Sequence, residues 1–348
     1  MINFRNHLIK SSTSIREALQ QLDILASDAI LFVIDSEGRL KGSLTDGDVR
    51  RGLLKGVSID KTVSEVVKDN PKFIRKEAID IRQIIQFRSE NFKIIPVVDS
   101  DLKVLSIVNF NYVRSYLPID AIIMAGGKGM RLKPLTENKP KPLLMVGEKT
   151  IMEHNVDRLS LYGIVDFWFS VKYLGNQIVD YFGDGKDKNR SIEYVWEDEP
   201  LGTIGSASKI DNLRHEHILV SNSDILTNLD YEAFYLDFLE KDADCAVLTI
   251  PYNVSIPYAV LETSNGYVLD FKEKPTYTYY SNGGIYLMKR SVLNYIPKDT
   301  FFNATDLMEK LISENKKVIS FPLSGYWLDV GNHKDFNQAQ LDIKNIKF

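Results

Sequence analysis

The chain of 348 residues is long enough for two domains, each burying its own core. Its formal net charge of -4, with both signs interspersed, provides no broad basic surface for nucleic acid and no polybasic tail for a membrane, so any contact with a polyanion is expected to be local. Met1–Lys10 lacks the apolar core of a signal peptide, no apolar stretch has the length of a transmembrane helix, and the single Cys245 excludes an internal disulfide. A cytoplasmic protein is therefore expected, with Cys245 as a buried thiol in the apolar run 245–250.

Two segments, Ala29–Leu53 and Lys93–Leu117, repeat one another: an apolar strand, an Asp-Ser turn, a second strand and an amphipathic helix. A helical pattern precedes each, with Ile15, Leu19, Leu22 and Leu25 in the first copy and Ile81, Ile84, Ile85 and Phe87 in the second. Units this small bury their apolar faces only by packing together. In the first copy Gly42, Ser43, Leu44, Thr45 and Asp48 supply a hydroxyl donor for a phosphate and a paired acceptor for a ribose diol. The same Thr45 and Asp48 also read as a plain helix N-cap. Asn109 and Tyr112 stand at the equivalent places in the second copy.

The pattern resembles a tandem pair of CBS domains over residues 1–118. That resemblance implies a regulatory or oligomerisation unit, a homo-oligomer, and an adenosine-type nucleotide with Thr45 on its phosphate and Asp48 on its ribose. A packing module without a ligand is the alternative. Pro118, Ile119 and Asp120 lead straight on, so the link to the second domain is short.

Ala121–Ala125 is an apolar strand that enters a loop holding Gly126, Gly127 and Gly129, with Lys128, Arg131, Lys133, Lys139 and Lys141 close behind. Glycines let backbone N–H groups approach phosphate oxygens while the cations neutralise them. Neither the Walker spacing nor GxGxxG is present, and a Gly-rich loop alone also reads as a turn. The whole run is more specific: Gly126–Thr136 followed by Pro140–Val146 resembles the signature of sugar-1-phosphate nucleotidyltransferases. The resemblance implies a nucleotide held by Ala125, Gly126, Gly127, Lys128 and Gly129. It also implies Arg131 on the β and γ phosphates, and Lys141 on the α phosphate and the incoming sugar phosphate.

Further along, Ile151, Asn155, Arg158 and Leu159 mark a helix ending near Gly163, Val165–Val171 a strand, and Asn176–Phe182 a polar helix. This alternation predicts an α/β fold, a Rossmann-like, mixed and mostly parallel sheet over residues 119–348, with ligands beyond the carboxyl ends of the strands. Val195–Gly205 resembles the family's base-and-sugar segment, which implies the Gly202 backbone beside the base, Thr203 at the sugar phosphate and Glu197 at the base edge. A carboxylate only accepts, so Glu197 suits guanine, whose N1–H and N2 amino group are adjacent donors, and GTP is the expected nucleotide. Otherwise Glu197 is a solvated loop acid.

The strand His217–Val220 runs into Ser221-Asn222-Ser223-Asp224, where an acid just past a buried strand can hold Mg2+ against phosphate oxygens. A lone Asp there is otherwise a cap or turn. Trp327–Gly331 resembles a second family segment, which implies Asp329 as the partner of Asp224 on one magnesium; Asn222, in the run before Asp224, is expected beside the nucleotide. By the same resemblance Glu273 faces sugar hydroxyls, Lys274 the sugar phosphate, and Asn282 with the Gly283 backbone the sugar, although Gly283-Gly284 also reads as an ordinary turn. Tyr277, Tyr279 and Tyr280 are expected to pack amphipathically rather than to stack on a sugar. Phe301–Ile312 reads as a helix buried on one face. His215, His217 and His333 lack zinc-like spacing and are taken as structural. The hexapeptide repeats of an attached acyltransferase are not seen after Asp329.

Together the resemblances imply transfer of a nucleotidyl group from GTP to a hexose(amine) 1-phosphate with Mg2+, releasing pyrophosphate. The CBS-first order with Glu197 is similar to the glucosamine-1-phosphate guanylyltransferases of legionaminic acid biosynthesis. Mannose-1-phosphate guanylyltransferase or another NDP-sugar pyrophosphorylase is the nearest competitor. A glycosyltransferase of related fold would not need the Gly126–Arg131 loop. A nucleotide sensor with an inactive transferase half is an alternative of another class, against which the occupied catalytic positions weigh.

Overall fold

A computed structural model describes residues 4–346. The chain divides into two compact units, Met1–Leu117 and Pro118–Phe348. In the first, β1 (Leu8–Lys10) leads to α1 (Ile15–Leu25), which starts on a capping box between Ser14 and Glu17. Then come β2 (Leu31–Ile34), β3 (Leu40–Leu44), α2 (Asp46–Leu54) and β4 (Lys68–Asp69), giving a four-stranded sheet in the order β1-β2-β3-β4. The helical stripe Ile15, Ala18, Leu22 and Leu25 packs on Leu31, Val33, Leu44 and Val49. The second copy supplies β5 (Ile74–Arg75), α3 (Ile81–Ser89), β6 (Ile94–Val98) and β7 (Val104–Asn109) as a three-stranded sheet. Phe32 and Leu40 share a buried cluster with Ile94 and Val98, and the Leu40 N–H donates to the Leu102 carbonyl at 2.8 Å, so the two copies bury each other's apolar faces.

The second copy departs from the expected pattern in one respect: no helix follows β7. Asn109 caps a single turn by accepting the Asn111 N–H, and Asn111 and Tyr112 then turn their side chains onto the buried Asp28 at 2.9 and 3.2 Å. Pro118 disfavours helical backbone at the residue before it, so the turn is not extended.

In the second unit β8 (Ile119–Met124) is central, with Ala121, Ile122 and Ile123 inaccessible to solvent. A short hairpin, β9 (Met145–Val146) and β10 (Lys149–Thr150), precedes α4 (Ile151–Ser160), β11 (Asp166–Val171), α5 (Gly175–Phe182) and β12 (Ser191–Trp196). The chain continues through β13 (His217–Asn222), β14 (Ile225–Thr227), α6 (Tyr231–Glu240), β15 (Cys245–Ser255), β16 (Val260–Ser264), β17 (Tyr267–Lys272) and β18 (Thr276–Lys289). It closes with α7 (Ala304–Ser313), β19 (Val318–Pro322), β20 (Trp327–Asp329) and α8 (His333–Asp342).

Seven strands form the main sheet, in the order β12-β11-β8-β13-β18-β15-β19. The first four are mutually parallel, β18 is antiparallel to both neighbours, and β15 and β19 are parallel, so the sheet is mixed and mostly parallel as the alternation predicts. Parallel strands need covered faces, which accounts for the unbroken apolar run of β8. Cys245 is buried in β15, and burial pushes its thiol up to about 12. No described helix is long and apolar enough to cross a membrane.

Two stretches differ from expectation. Helix α7 begins at Ala304, not Phe301, because the Asn303 N–H donates to Asp306 Oδ2 at 2.8 Å and stops the helix there. The tyrosine segment does not pack inward. Beyond the main sheet, residues 250–255 of β15 pair only with residues 276–281 of β18, and β16 with β17 makes a second hairpin between them. Tyr279 and Tyr280 are 59% and 57% exposed on this ribbon, and Tyr252, Tyr267, Leu269 and Phe271 are exposed with them.

Candidate active site

The carboxyl ends of β8, β11 and β13 open onto a cavity of about 480 Å3. Gly126, Gly127, Lys128, Gly129 and Arg131 line it together with Glu197, Gly202, Thr203, Lys141, Asn222 and Asp224. Ala125 lies just behind, buried, its N–H bonded to the Ser170 carbonyl at 2.8 Å, so the strand is pinned one residue before the loop departs. Gly129 has φ +60°, and a Cβ there would lie 3.1 Å from the Lys141 Cβ and 3.0 Å from Thr136. Only glycine lets the loop turn this tightly over Lys141.

Lys141 is nearly buried, and its ammonium forms a short ion pair with Asp224 and stands 3.8 Å from Asp329. The two acids come together because β14 and β20 pair antiparallel, with Ile225 opposite Asp329 and the Val330 N–H on the Asp224 carbonyl. Helix α4 holds the same loop: Asn155 donates to the Ser223 carbonyl at 3.2 Å, and Arg158 to the Asn228 and Leu229 carbonyls at 2.6 and 2.8 Å. Burial raises the Asp329 carboxyl above the usual aspartate range and the Asp224 charge adds to this, while Lys141 and Arg131 pull the other way. One buried oxygen of each acid, Oδ1 of Asp224 and Oδ1 of Asp329, has no hydrogen-bond donor. Two orphaned hard oxygens, on acids that share Lys141, fit a small divalent cation.

Glu197 is 8% exposed, and both of its oxygens already have partners in the chain: Oε1 takes the Ser170 hydroxyl at 2.5 Å and Oε2 the Leu201 N–H at 3.1 Å. It is therefore no solvated loop acid. It clamps the 197–201 turn, with lone pairs left to face the cavity. Gly202 has φ +78° and lies against the Phe302 carbonyl. A second cavity of about 330 Å3 adjoins the first, since Thr203 and Asn222 line both, and Asn282, Gly283 and Asp329 complete it. Thr203 is anchored by accepting the Ala304 N–H at 2.9 Å. Asn282 bonds Tyr286 and the Gly284 N–H, and the Gly283 carbonyl accepts from the Trp327 indole at 2.9 Å.

The structure does not bring Glu273 and Lys274 to either cavity: both are exposed on the ribbon. In the first unit, Thr45 and Asp48 form a capping box on α2, with Asp48 Oδ2 taking the Thr45 N–H at 2.9 Å and hydroxyl at 2.6 Å while Oδ1 pairs with Arg51. Sequence reasoning missed Lys172, whose ammonium clamps the Asp198 carbonyl beside Glu197, and Phe301, Asn303, Thr305 and Trp327 on the cavity walls. Phe301 was hidden inside a presumed helix, and Lys172 follows an ordinary strand with no motif around it.

A glycine loop at the carboxyl end of a central parallel strand, faced by a lysine between two carboxylates, places the site of this α/β unit where open parallel sheets carry their ligands. The chain belongs to the nucleotidyl transferase family, which residues 120–346 match, and residues 7–55 match the CBS domain. It is 30% identical over 232 residues to mannose-1-phosphate guanylyltransferase of Mycobacterium tuberculosis (65% of this chain, 64% of the relative). It is 33% identical over 230 residues to the bifunctional protein GlmU of Methanocaldococcus jannaschii (64% and 53%). To UTP–glucose-1-phosphate uridylyltransferase of Synechocystis it is 29% identical over 252 residues (65% of each). The chain thus spans about half to two thirds of the length of these curated relatives. Among solved structures, a putative glucose-1-phosphate thymidylyltransferase from Bacillus anthracis superposes with a TM-score of 0.54 at 24% identity, over 66% of this chain and 97% of that one, a likeness of fold.

Proposed function

We propose that the chain is a sugar-1-phosphate guanylyltransferase, joining GTP and a hexose(amine) 1-phosphate to give a GDP-sugar and pyrophosphate. The observation that carries this reading is Lys141 held between Asp224 and Asp329 under the Gly126–Arg131 loop. An oxygen of the sugar phosphate attacks the α phosphorus in line, the bond from that phosphorus to the bridging oxygen breaks, and pyrophosphate leaves with the electron pair. The attacking monoester is already ionised, so no side-chain nucleophile is needed, and catalysis is positioning and charge neutralisation. Lys141 carries the charge on the α phosphate, and Arg131 with the glycine loop grips the departing pyrophosphate. Asp224 and Asp329 would hold Mg2+, which supplies further neutralisation of phosphate charge when bound.

The larger cavity takes the nucleotide and the adjoining one, with Thr203, Asn282 and Gly283, the sugar phosphate. The lone pairs that Glu197 has left support guanine, as does the kinship with a guanylyltransferase. Glucosamine 1-phosphate is the first sugar to test, mannose 1-phosphate the second. The first unit offers a regulatory nucleotide site near Thr45 and Asp48 and a surface for a homo-oligomer. Pyrophosphate release with GTP, UTP, CTP, dTTP and ATP, each crossed with glucosamine, N-acetylglucosamine, mannose and glucose 1-phosphates in Mg2+, tests the reading. Turnover confined to GTP supports the Glu197 assignment, turnover only with another nucleotide overturns it, and no turnover with any pair overturns the enzyme reading.

A further inference from the structure

Three side chains far apart in sequence meet at the opposite end of the sheet from the cavity. Asp120 and Asp166 stand side by side at the start of β8 and β11, and His215 lies in the loop that enters β13. One potential ligand atom from each lies within 4.8 Å of the others. Asp120 is wholly buried: its Oδ2 accepts the Arg214 and His215 N–H groups at 2.7 and 2.9 Å, but Oδ1, also buried, has no donor. A buried carboxylate oxygen left without a partner destabilises the fold, and a cation would offset that cost.

The charge around it points the same way. Asp166 pairs with His215 Nε2 at 3.3 Å and with Arg214, whose guanidinium also reaches Glu193 at 3.0 Å. Three carboxylates, of Asp120, Asp166 and Glu193, thus gather around one guanidinium, and the acids outnumber the base. Burial pushes the Asp120 carboxyl upward, whereas at Asp166 the hydrogen bond from His215 and the Arg214 charge outweigh burial and hold it low. Two carboxylates with one imidazole favour zinc, cobalt or manganese over magnesium or calcium, which want oxygen alone.

We propose that Asp120, Asp166 and His215 bind a divalent transition-metal cation, zinc by ligand preference, that ties the entry ends of β8 and β11 to the loop before β13. Asp166 and His215 are partly exposed, so water can complete the coordination. The site is distinct from Asp224 and Asp329: Met124 at the cavity lies four positions along β8 from Asp120, about 13 Å of strand.

The test uses the full chain, stripped with a chelator and titrated with Co2+, read by its visible absorption, and then with Zn2+, read by metal analysis and thermal melting. Asp120→Asn keeps an acceptor for both backbone N–H groups, His215→Gln removes the imidazole, and Asp224→Asn is the control at the other site. The expected result is one tightly held Zn2+ and a raised melting temperature in the wild type and in Asp224→Asn. In Asp120→Asn and His215→Gln affinity should fall by at least about 100-fold, more than loss of an outer partner causes. Equal uptake and an unchanged cobalt spectrum in His215→Gln would overturn the proposal, as would failure of the wild type to retain Zn2+, or loss in Asp224→Asn alone. If Asp120→Asn fails to fold, His215→Gln decides.

Discussion

Replacing Lys141 by Met keeps the length of the side chain and removes its charge, and the consequences separate binding from catalysis. At 3.8 Å from Asp329 the ammonium is worth ~4 kcal/mol to that carboxylate at an effective dielectric of 20. Because Asp329 is 44% exposed on its side chain, solvent screening reduces this to about 1–2 kcal/mol. A cation bound between the two acids feels Lys141 as a repulsion of similar size, so Lys141→Met should bind Mn2+ about tenfold more tightly, at 1.4 kcal/mol per decade. Turnover should nevertheless fall by about 100- to 1000-fold, the usual cost of losing one group that meets developing charge. Paramagnetic titration of Mn2+ and initial rates of pyrophosphate release, measured on the same preparation, report the two effects. Near-normal turnover would refute the placement of Lys141 on the α phosphate, and metal binding weakened in parallel with turnover would refute the electrostatic account.

Asp329 sets a pH limit on the same site. Its folded carboxyl is raised in the metal-free protein, so on acidification it protonates before an ordinary aspartate does, and Mn2+ binding should weaken at a pH above the normal range near 4, higher still in Lys141→Met. Asp157 behaves in the opposite way: burial alone would raise it, but hydrogen bonds from Lys149 at 2.6 Å and Arg190 at 2.5 Å hold it below its usual value. Its stabilisation is present above the unfolded value and is lost as pH falls through the folded one. Asp157→Asn should therefore cost about 1–2 kcal/mol in urea melts at pH 7 and little near pH 2. Gly202→Ala forces a side chain into φ +78° with its Cβ 2.5 Å from the Phe302 carbonyl, so about 2–3 kcal/mol of stability and much of the nucleotide affinity should go together. Thr45→Val removes the α2 cap and should lower stability by about 1 kcal/mol, and calorimetry with adenosine nucleotides then shows whether Thr45 does anything more.

What could be read in the sequence was what is local. Ala121–Ala125 declares its strand by apolar run, and the loop after it by glycine and charge, because both signals lie within a few residues. The sequence also matched Asp224 with Asp329, but only through motif likeness; the physical cause, β14 pairing with β20 across a hundred residues, leaves no local trace. The meeting of His215 with Asp120 and Asp166 was illegible for the same reason, and spacing alone made that histidine structural. Where a local pattern misled, tertiary partners had won: Asp28 takes the polar side chains of the expected second helix, and Asn303 truncates α7 to release Phe301.

The two-stranded overhang of β15 and β18 leaves an open strand edge beyond the main sheet. Among the described residues, 250–255 and 276–281 have backbone partners on one side only, and Tyr252, Tyr279 and Tyr280 are exposed on them. An open strand edge flanked by aromatic rings is a template for another strand, so this segment, rather than the well-covered central sheet, is where edge-to-edge aggregation would begin. A single lysine in place of Tyr252 would put charge on that edge without touching either cavity, and solubility rather than turnover is the property it should change.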